Sequence, residues 1–303
     1  MIGMGYIARK HLEAIQSVKG ELVAFHDPND SVGVVDSFFP GAKYFPEFER
    51  FDLFCTNYIE HGNSIDYLVV CSPNWLHITH IYYGLRLSPK TKVIVEKPAI
   101  ISYDNYLALI KRKDYAKRVF PIFQLRYLEQ LKSIKMYKDK IIVYVDYHAS
   151  RGHWYEYSWK GQMERSGGLA TNIGCHLFDL CTYLFGKVKS AKLTEVRFDP
   201  ETNFEWYNEG RIELDGATVY FKVSVRPYST GSRRVFQIFS HGKSTQYIIL
   251  DGTIDHLHKK VYKQIVNDEK NAFNISSIHE VESICQELRE QCKKLIASGQ
   301  ERS

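Results

Sequence analysis

The sequence predicts an α/β fold with a doubly wound parallel sheet, followed by an α+β domain on an open antiparallel sheet with helices on one face. Three observations predict it. Continuous apolar runs alternate with helical segments through residue 124, as parallel strands covered on both faces require. Gly3-Met4-Gly5-Tyr6-Ile7-Ala8 opens the chain with a G-x-G-x-x-A spacing. Past residue 125 the pattern changes to alternation. Val219, Phe221, Val223 and Val225 interleave with Tyr220, Lys222 and Ser224, the period of a sheet with one wet face. The predicted domains are therefore 1–124 and 125–303.

Only Met1 and Ile2 precede Gly3, where a dinucleotide-binding sheet ordinarily runs a central first strand of about five residues. That strand reads as truncated: either the true start lies upstream, or the fold accepts a stub. Ala8, Leu12 and Ile15 fall at i, i+4 and i+7 and predict a helix over 7–18. Apolar runs predict strands at 22–25, 67–70, 93–95 and 119–123, with helices at 76–87 and 103–113. The second half predicts a helix over 127–137, an extended segment over 141–149 and a helix over 169–184. Strands follow at 192–198, 211–214, 217–225, 235–239 and 245–250, with Asp215-Gly216 as a hairpin turn. Helices at 253–266 and 277–296 close the chain.

Composition narrows the function. Lys and Arg number 40 against 35 Asp and Glu, a net charge of +5. The excess is spread out, which argues against a nucleic-acid stripe and suits a small anionic ligand. No apolar run reaches the roughly 18 residues of a membrane helix, and Met1–Lys10, with no cationic segment followed by an apolar one, does not read as a secretory signal. The cysteines at 55, 71, 175, 181, 285 and 292 form no C-x-x-C pair and no zinc-finger spacing with histidine. They read as free thiols of a reducing, cytoplasmic protein with no structural metal.

The opening glycines have a defined chemistry. The first permits a tight turn, the second lets the backbone approach a pyrophosphate, and the small Ala8 lets the helix pack on the sheet. Asp27 lies at the end of the following strand, about 20 residues on. A carboxylate there bonds both ribose hydroxyls and repels a 2′-phosphate, so the expected cofactor is NAD rather than NADP. Gly3, Gly5, Tyr6, Ile7, Asp27 and Asn29 are its candidate contacts. Ser72-Pro73-Asn74 and Glu96-Lys97-Pro98 follow two successive strands, at the sheet edge where ligands bind. Ser72, Asn74, His77, Glu96 and Lys97 complete the cofactor candidates. Lys97 can act on a hydroxyl if its surroundings favour proton transfer. Downstream, Asn172 and His176 stand four apart after Gly167-Gly168, on one face of the predicted helix. His80 reads as a surface residue, and His256 and His258, beside Asp255, as capping and packing.

At these residues the chain resembles the Gfo/Idh/MocA oxidoreductases. The resemblance rests on the opening fingerprint, on Glu96-Lys97-Pro98, and on the G-G-x-x-x-[DN]-x-G-x-H segment at 167–176. It is narrower toward the bacterial dehydrogenases of UDP-N-acetylglucosaminuronic acid, through Asp27-Pro28-Asn29, Cys71-Ser72-Pro73-Asn74, Ser150-Arg151-Gly152, Ser158-Trp159-Lys160-Gly161 and Thr171-Asn172-Ile173-Gly174. It departs at Tyr127-Leu128-Glu129, where that group has a His-Pro pair. The resemblance implies NAD-dependent oxidation of a sugar C3 hydroxyl, in a cleft between the domains. Lys97 and His176 would carry the proton, with the base left open between them, and Asn172 would orient the substrate. Arg126, Arg151, Tyr155 and Lys160 are candidates for the uronate and diphosphate, with Asn172 and His176 also contacting the sugar. Trp154 and Trp159 stack on a ring or pack in the core. The resemblance further implies a homo-oligomer, dimer or tetramer, formed through the second-domain sheet. It places a pathway aminotransferase downstream, in the biosynthesis of O-antigen lipopolysaccharide. The alternatives are another sugar or cyclitol substrate, or a non-catalytic member of the family.

Overall fold

The computed structural model describes residues 1–134, 141–225, 233–240, 243–250 and 256–298. The chain divides into two compact units. The first comprises Met1–Ile100, Asp104–Gln124 and Asp255–Ser277; the second comprises Ile101–Tyr103, Leu125–Ile254 and Ile278–Ser303. A single second domain over 125–303 does not allow for that late return to the first unit. The return has an apolar cause. The helix Leu257–Asn267 buries Leu257, Val261, Tyr262 and Ile265 and packs against the helix Ala8–Ser17, which buries Ala8, Leu12 and Ile15.

The first unit contains β1 (Ala24–His26), β2 (Lys43–Phe45), β3 (Tyr67–Val70), β4 (Lys92–Val95) and β5 (Val119–Pro121). All their pairings are parallel. Ile2 bridges both His26 and Val70 in parallel, so the chain start fills the central place between β1 and β3. Its backbone is satisfied there. Ile2 N donates to Val69 O at 2.8 Å, Cys71 N to Ile2 O at 2.7 Å, and Gly3 N to His26 O at 2.8 Å. Helices Phe48–Glu60, His77–Leu87 and Tyr103–Lys111 lie between strands. Sequence periodicity does not single out Phe48–Glu60, because it buries only Phe51 and Cys55.

The second unit is a six-stranded sheet of β6 (Ile141–His148), β7 (Val188–Phe198), β8 (Glu205–Leu214), β9 (Ala217–Ser224), β10 (Arg233–Ser240) and β11 (Lys243–Ile249). The order is β11-β10-β6-β9-β8-β7. The sheet is mixed rather than purely antiparallel, because β6 and β9 run parallel. The long connection between them, through helix Cys175–Phe185 and the β7–β8 hairpin, supplies the crossover a parallel pair needs. The predicted alternation holds from Val219 to Val223, with Val219, Phe221 and Val223 buried and Tyr220 exposed, and ends at Ser224, which is buried and bonds His148 Nδ1 at 2.8 Å. Tyr144 and Tyr220 stack at 5.4 Å on the wet face.

Helix His279–Ser298 covers the outer edge of β7. Val188 N donates to Glu280 Oε2 at 2.8 Å, Ala191 N to Glu287 Oε2 at 3.2 Å and Leu193 N to Gln291 Oε1 at 2.9 Å. Side chains thus stand in for a neighbouring strand and close an edge that would otherwise invite pairing. The helix predicted over 127–137 is instead a pair of short turns, Gln124–Tyr127 and Glu129–Ser133. Tyr137, Thr253 and Asp255 lie outside the described residues. Among the described residues, no helix is long and apolar enough to cross a membrane.

Candidate active site

The fingerprint loop is shaped for close backbone approach. Gly3 has φ +90°, and a Cβ there would meet the Cys71 carbonyl at 2.5 Å, so no side chain fits. A Cβ at Gly5 would meet nothing within 4 Å. The helix that follows has no side-chain cap at Ile7 and no acid in its first turn. Its N-terminal N–H groups and dipole therefore suit an anion. Tyr6 beside them is 98% exposed. Asp27 sits just past β1. Its Oδ2 accepts the Met4 N–H at 2.5 Å and its Oδ1 the Asn29 N–H at 2.8 Å. Asn29 Oδ1 in turn accepts Ser31 N–H at 3.0 Å.

The loops after β3 and β4 are tied together by histidine. His77 Nδ1 lies 2.7 Å from Pro98 O, and His77 Nε2 lies 2.7 Å from Ser72 O. Burial lowers the His77 pKa, against the pull of those carbonyls. His80 is buried rather than on the surface. It bonds Ser72 Oγ at 2.8 Å and stacks on Phe48 at 5.6 Å, and burial lowers its pKa to about 4. Asn74 is buried as well. Lys97 is half-buried at a cis peptide with Pro98.

Glu96 is a correction to the cofactor candidates, because its carboxylate is taken by protein groups. Oε1 lies 2.9 Å from His11 Nε2 and 3.0 Å from His258 Nε2. Burial pushes the carboxyl up, but these imidazole bonds outweigh it and hold Glu96 well below the carboxylate range. His258 is therefore more than packing. Nothing in the sequence pairs residues so far apart.

In the second unit, Gly167 and Gly168 have φ of +88° and +83° and lead into a π-turn, Ala170–Gly174. The helix Cys175–Phe185 continues from it. Asn172 and His176 thus lie on a widened turn followed by a regular one, rather than on one uniform helix; such turns are frequent at functional sites. Glu205 anchors the segment. It accepts Leu169 N at 2.7 Å, Asn208 Nδ2 at 2.8 Å and Cys292 Sγ at 3.0 Å. Asn172 Nδ2 donates to Tyr155 Oη at 2.6 Å, and burial raises the Tyr155 pKa. His176 is half-buried.

Arg126 is also a correction. Its guanidinium grips Asp179 through Nε and Nη2, with the two side chains only 4% and 0% exposed. Burial raises Asp179 to about 6 despite Arg126. A buried pair of this kind is committed to the fold. Arg151 and Tyr155 line one hollow of about 250 Å³, with Gly152, His153 and Phe204. Lys160 lies over the Trp159 ring at 4.2 Å, and Trp154 is exposed.

Comparison with known proteins accords with these features. The oxidoreductase family GFO/IDH/MocA, NAD-binding Rossmann fold, matches residues 1–122, and the GFO/IDH/MocA C-terminal domain matches 141–243. The chain belongs to the Gfo/Idh/MocA family. It is an NAD-dependent dehydrogenase of that family. The WlbA (WbpB) dehydrogenase of Thermus thermophilus, in complex with NAD and alpha-ketoglutarate, is 33% identical with a TM-score of 0.83, covering 95% of this chain and 93% of its own. The same enzyme in complex with NAD and UDP-GlcNAcA is 34% identical with a TM-score of 0.82, over the same shares. A myo-inositol dehydrogenase of Corynebacterium glutamicum shares the fold, at 16% identity and a TM-score of 0.72 over 98% and 96% of the two chains. NAD fits this Gfo/Idh/MocA chain at the gap beside Gly5, the uncapped helix start and the Asp27 carboxylate.

Proposed function

We propose that this dehydrogenase oxidises the C3 hydroxyl of UDP-N-acetylglucosaminuronic acid to the ketone. The observation that carries the reading is the Thermus enzyme bound to NAD and UDP-GlcNAcA, matched over 95% of this chain. When bound, NAD supplies the acceptor for the hydride from C3. The chain's own residues manage the hydroxyl proton and the substrate. His176 takes the proton as base. Lys97 relays it and faces the developing alkoxide. Asn172, its amide fixed by Tyr155, orients the sugar. Arg151 and Lys160 supply cations for the uronate and diphosphate, with Tyr155 walling the hollow beside Arg151.

The product ketone is set up for an aminotransferase, consistent with synthesis of O-antigen sugars. A cytoplasmic setting fits the free cysteines. Exposed Tyr144, Tyr220 and Tyr247 on the wet sheet face support association with further copies of the chain, as dimer or tetramer.

The test is NADH formation with UDP-GlcNAcA, with the keto product removed by a coupled reaction. His176→Ala should lower turnover by about 10²-fold or more and leave NAD affinity unchanged. Oxidation of a free cyclitol but not of UDP-GlcNAcA would overturn the substrate assignment. Full activity in His176→Ala would overturn the role of His176.

A further inference from the structure

We propose that Glu96, His11 and His258 form a buried clamp that fixes the backbone of Lys97 and so act as positioning residues for proton transfer. The inference deepens the reading above and rests on the role given there to Lys97. Glu96 follows β4 directly. Its Oε1 meets His11 Nε2 at 2.9 Å and His258 Nε2 at 3.0 Å, while Oε2 accepts the Lys97 backbone N–H at 3.2 Å. His11 Nδ1 lies 2.7 Å from Tyr262 Oη. All these groups belong to the first unit, and the four side chains are buried.

The chemistry fixes the protons. An ionised carboxylate only accepts, so both Nε2 atoms carry hydrogen. His11 Nδ1 is then an acceptor, and the Tyr262 phenol donates to it. One arrangement satisfies every bond. Burial keeps the Tyr262 phenol protonated and lowers the His11 pKa, in agreement with a neutral ring. Bonds to a charged acceptor are the strong ones, and removing one donor leaves a buried charge short of its partners. The clamp has a second jaw. Pro98, on the other side of Lys97, is held through its carbonyl oxygen by His77. Buried imidazoles therefore fix both neighbours of Lys97 in the chain.

The ligand-type atoms of His11, Glu96 and His258 also lie within 4.8 Å of one another, a spacing that could hold a metal ion. The two N···O distances are ordinary N–H···O lengths, which favours protons over a metal.

The experiment uses the full chain, with kcat, KM for UDP-GlcNAcA and Kd for NAD measured for each variant. His258→Phe keeps bulk and removes the donor; His258→Gln restores an N–H near the position of Nε2. Glu96→Gln can offer its oxygen to the imidazoles, but its NH₂ then faces the Lys97 N–H. His258→Phe and Glu96→Gln should lower kcat about tenfold or more, as a small misplacement of a reacting group does. KM and Kd should stay unchanged, and His258→Gln should recover most of kcat. Lys97→Met is measured alongside. Full turnover in Lys97→Met would remove the role of Lys97, and the clamp's purpose with it. An inactive Lys97→Met beside a fully active His258→Phe would overturn the clamp alone. Parallel loss of kcat and NAD binding in His258→Phe, not rescued by His258→Gln, would also overturn it. So would a stoichiometric transition metal in the purified protein that His258→Phe releases.

Discussion

The Asp27 carboxylate accepts the backbone N–H of Met4 on one oxygen and that of Asn29 on the other. The acid suited to the ribose thus also shapes the loop that receives the diphosphate. Removing it has two consequences. Asp27→Ala should narrow the preference for NAD over NADP, because the group that repels a 2′-phosphate is gone. It should also weaken binding of both cofactors, because Met4 N–H loses its acceptor. Calorimetric Kd values for NAD and NADP check both; an unchanged ratio would remove Asp27 from cofactor selection. Asp27 was legible in the sequence because a local rule of spacing ties it to the glycines. Lys97, Asn172 and His176 were nominated by their motifs, and their roles belong to the proposed function. His11, His258 and Tyr262 were not legible, since His258 reaches Glu96 from 162 residues away and Tyr262 reaches His11 from 251 residues away in the chain. Arg126 misled for the same reason. A cation near a site suggests an anionic ligand, and only the fold shows that Asp179, 53 residues on, holds it.

The segment that carries Asn172 is held by a carboxylate from elsewhere in the second unit, Glu205. Gly168 turns with φ +83°, and a Cβ there would come within 2.9 Å of Glu205 Oε2. That oxygen accepts the Leu169 N–H that begins the π-turn. Gly168→Ala should therefore cost about 1–3 kcal/mol through backbone strain, and should lower kcat as Asn172 shifts. Urea unfolding measures the first and steady-state kinetics the second; an unchanged midpoint would show that the loop accommodates the methyl group. The sequence indicated a helix here but not its widened turn, because five residues are too few for one period to be told from another. The cover on β7 was equally hidden. Glu280, Glu287 and Gln291 read as the polar face of an amphipathic helix, and nothing in that pattern marks them as partners for backbone N–H groups.

For the whole molecule, alternation and apolar runs indicated both architectures, while the parallel β6–β9 pair and the return of Leu257–Asn267 follow from long-range packing that periodicity cannot carry. Global stability should depend on Glu282, which is buried in the second unit. Burial pushes its carboxyl up to about 8, Arg289 opposing and Asp179 adding. The folded state therefore keeps a proton that the unfolded chain, with a carboxyl near about 4.3, gives up. Stability from this group is full below that lower value and is lost as pH rises toward 8, by up to about 1.4 kcal/mol per pH unit. Glu282→Gln should flatten the decline, as denaturant unfolding at several pH values will show; an equal slope in both proteins would exclude this carboxyl as its source. The discontinuous first unit also has a consequence for synthesis. Glu96 emerges from the ribosome 162 residues before His258, a wait on the order of ten seconds at ordinary elongation rates. Through that interval the nascent dinucleotide unit lacks the helix that covers Ala8–Ser17, and its buried carboxylate lacks one of two imidazole partners. Maturation of this half of the enzyme is therefore deferred until Leu257–Asn267 has been made.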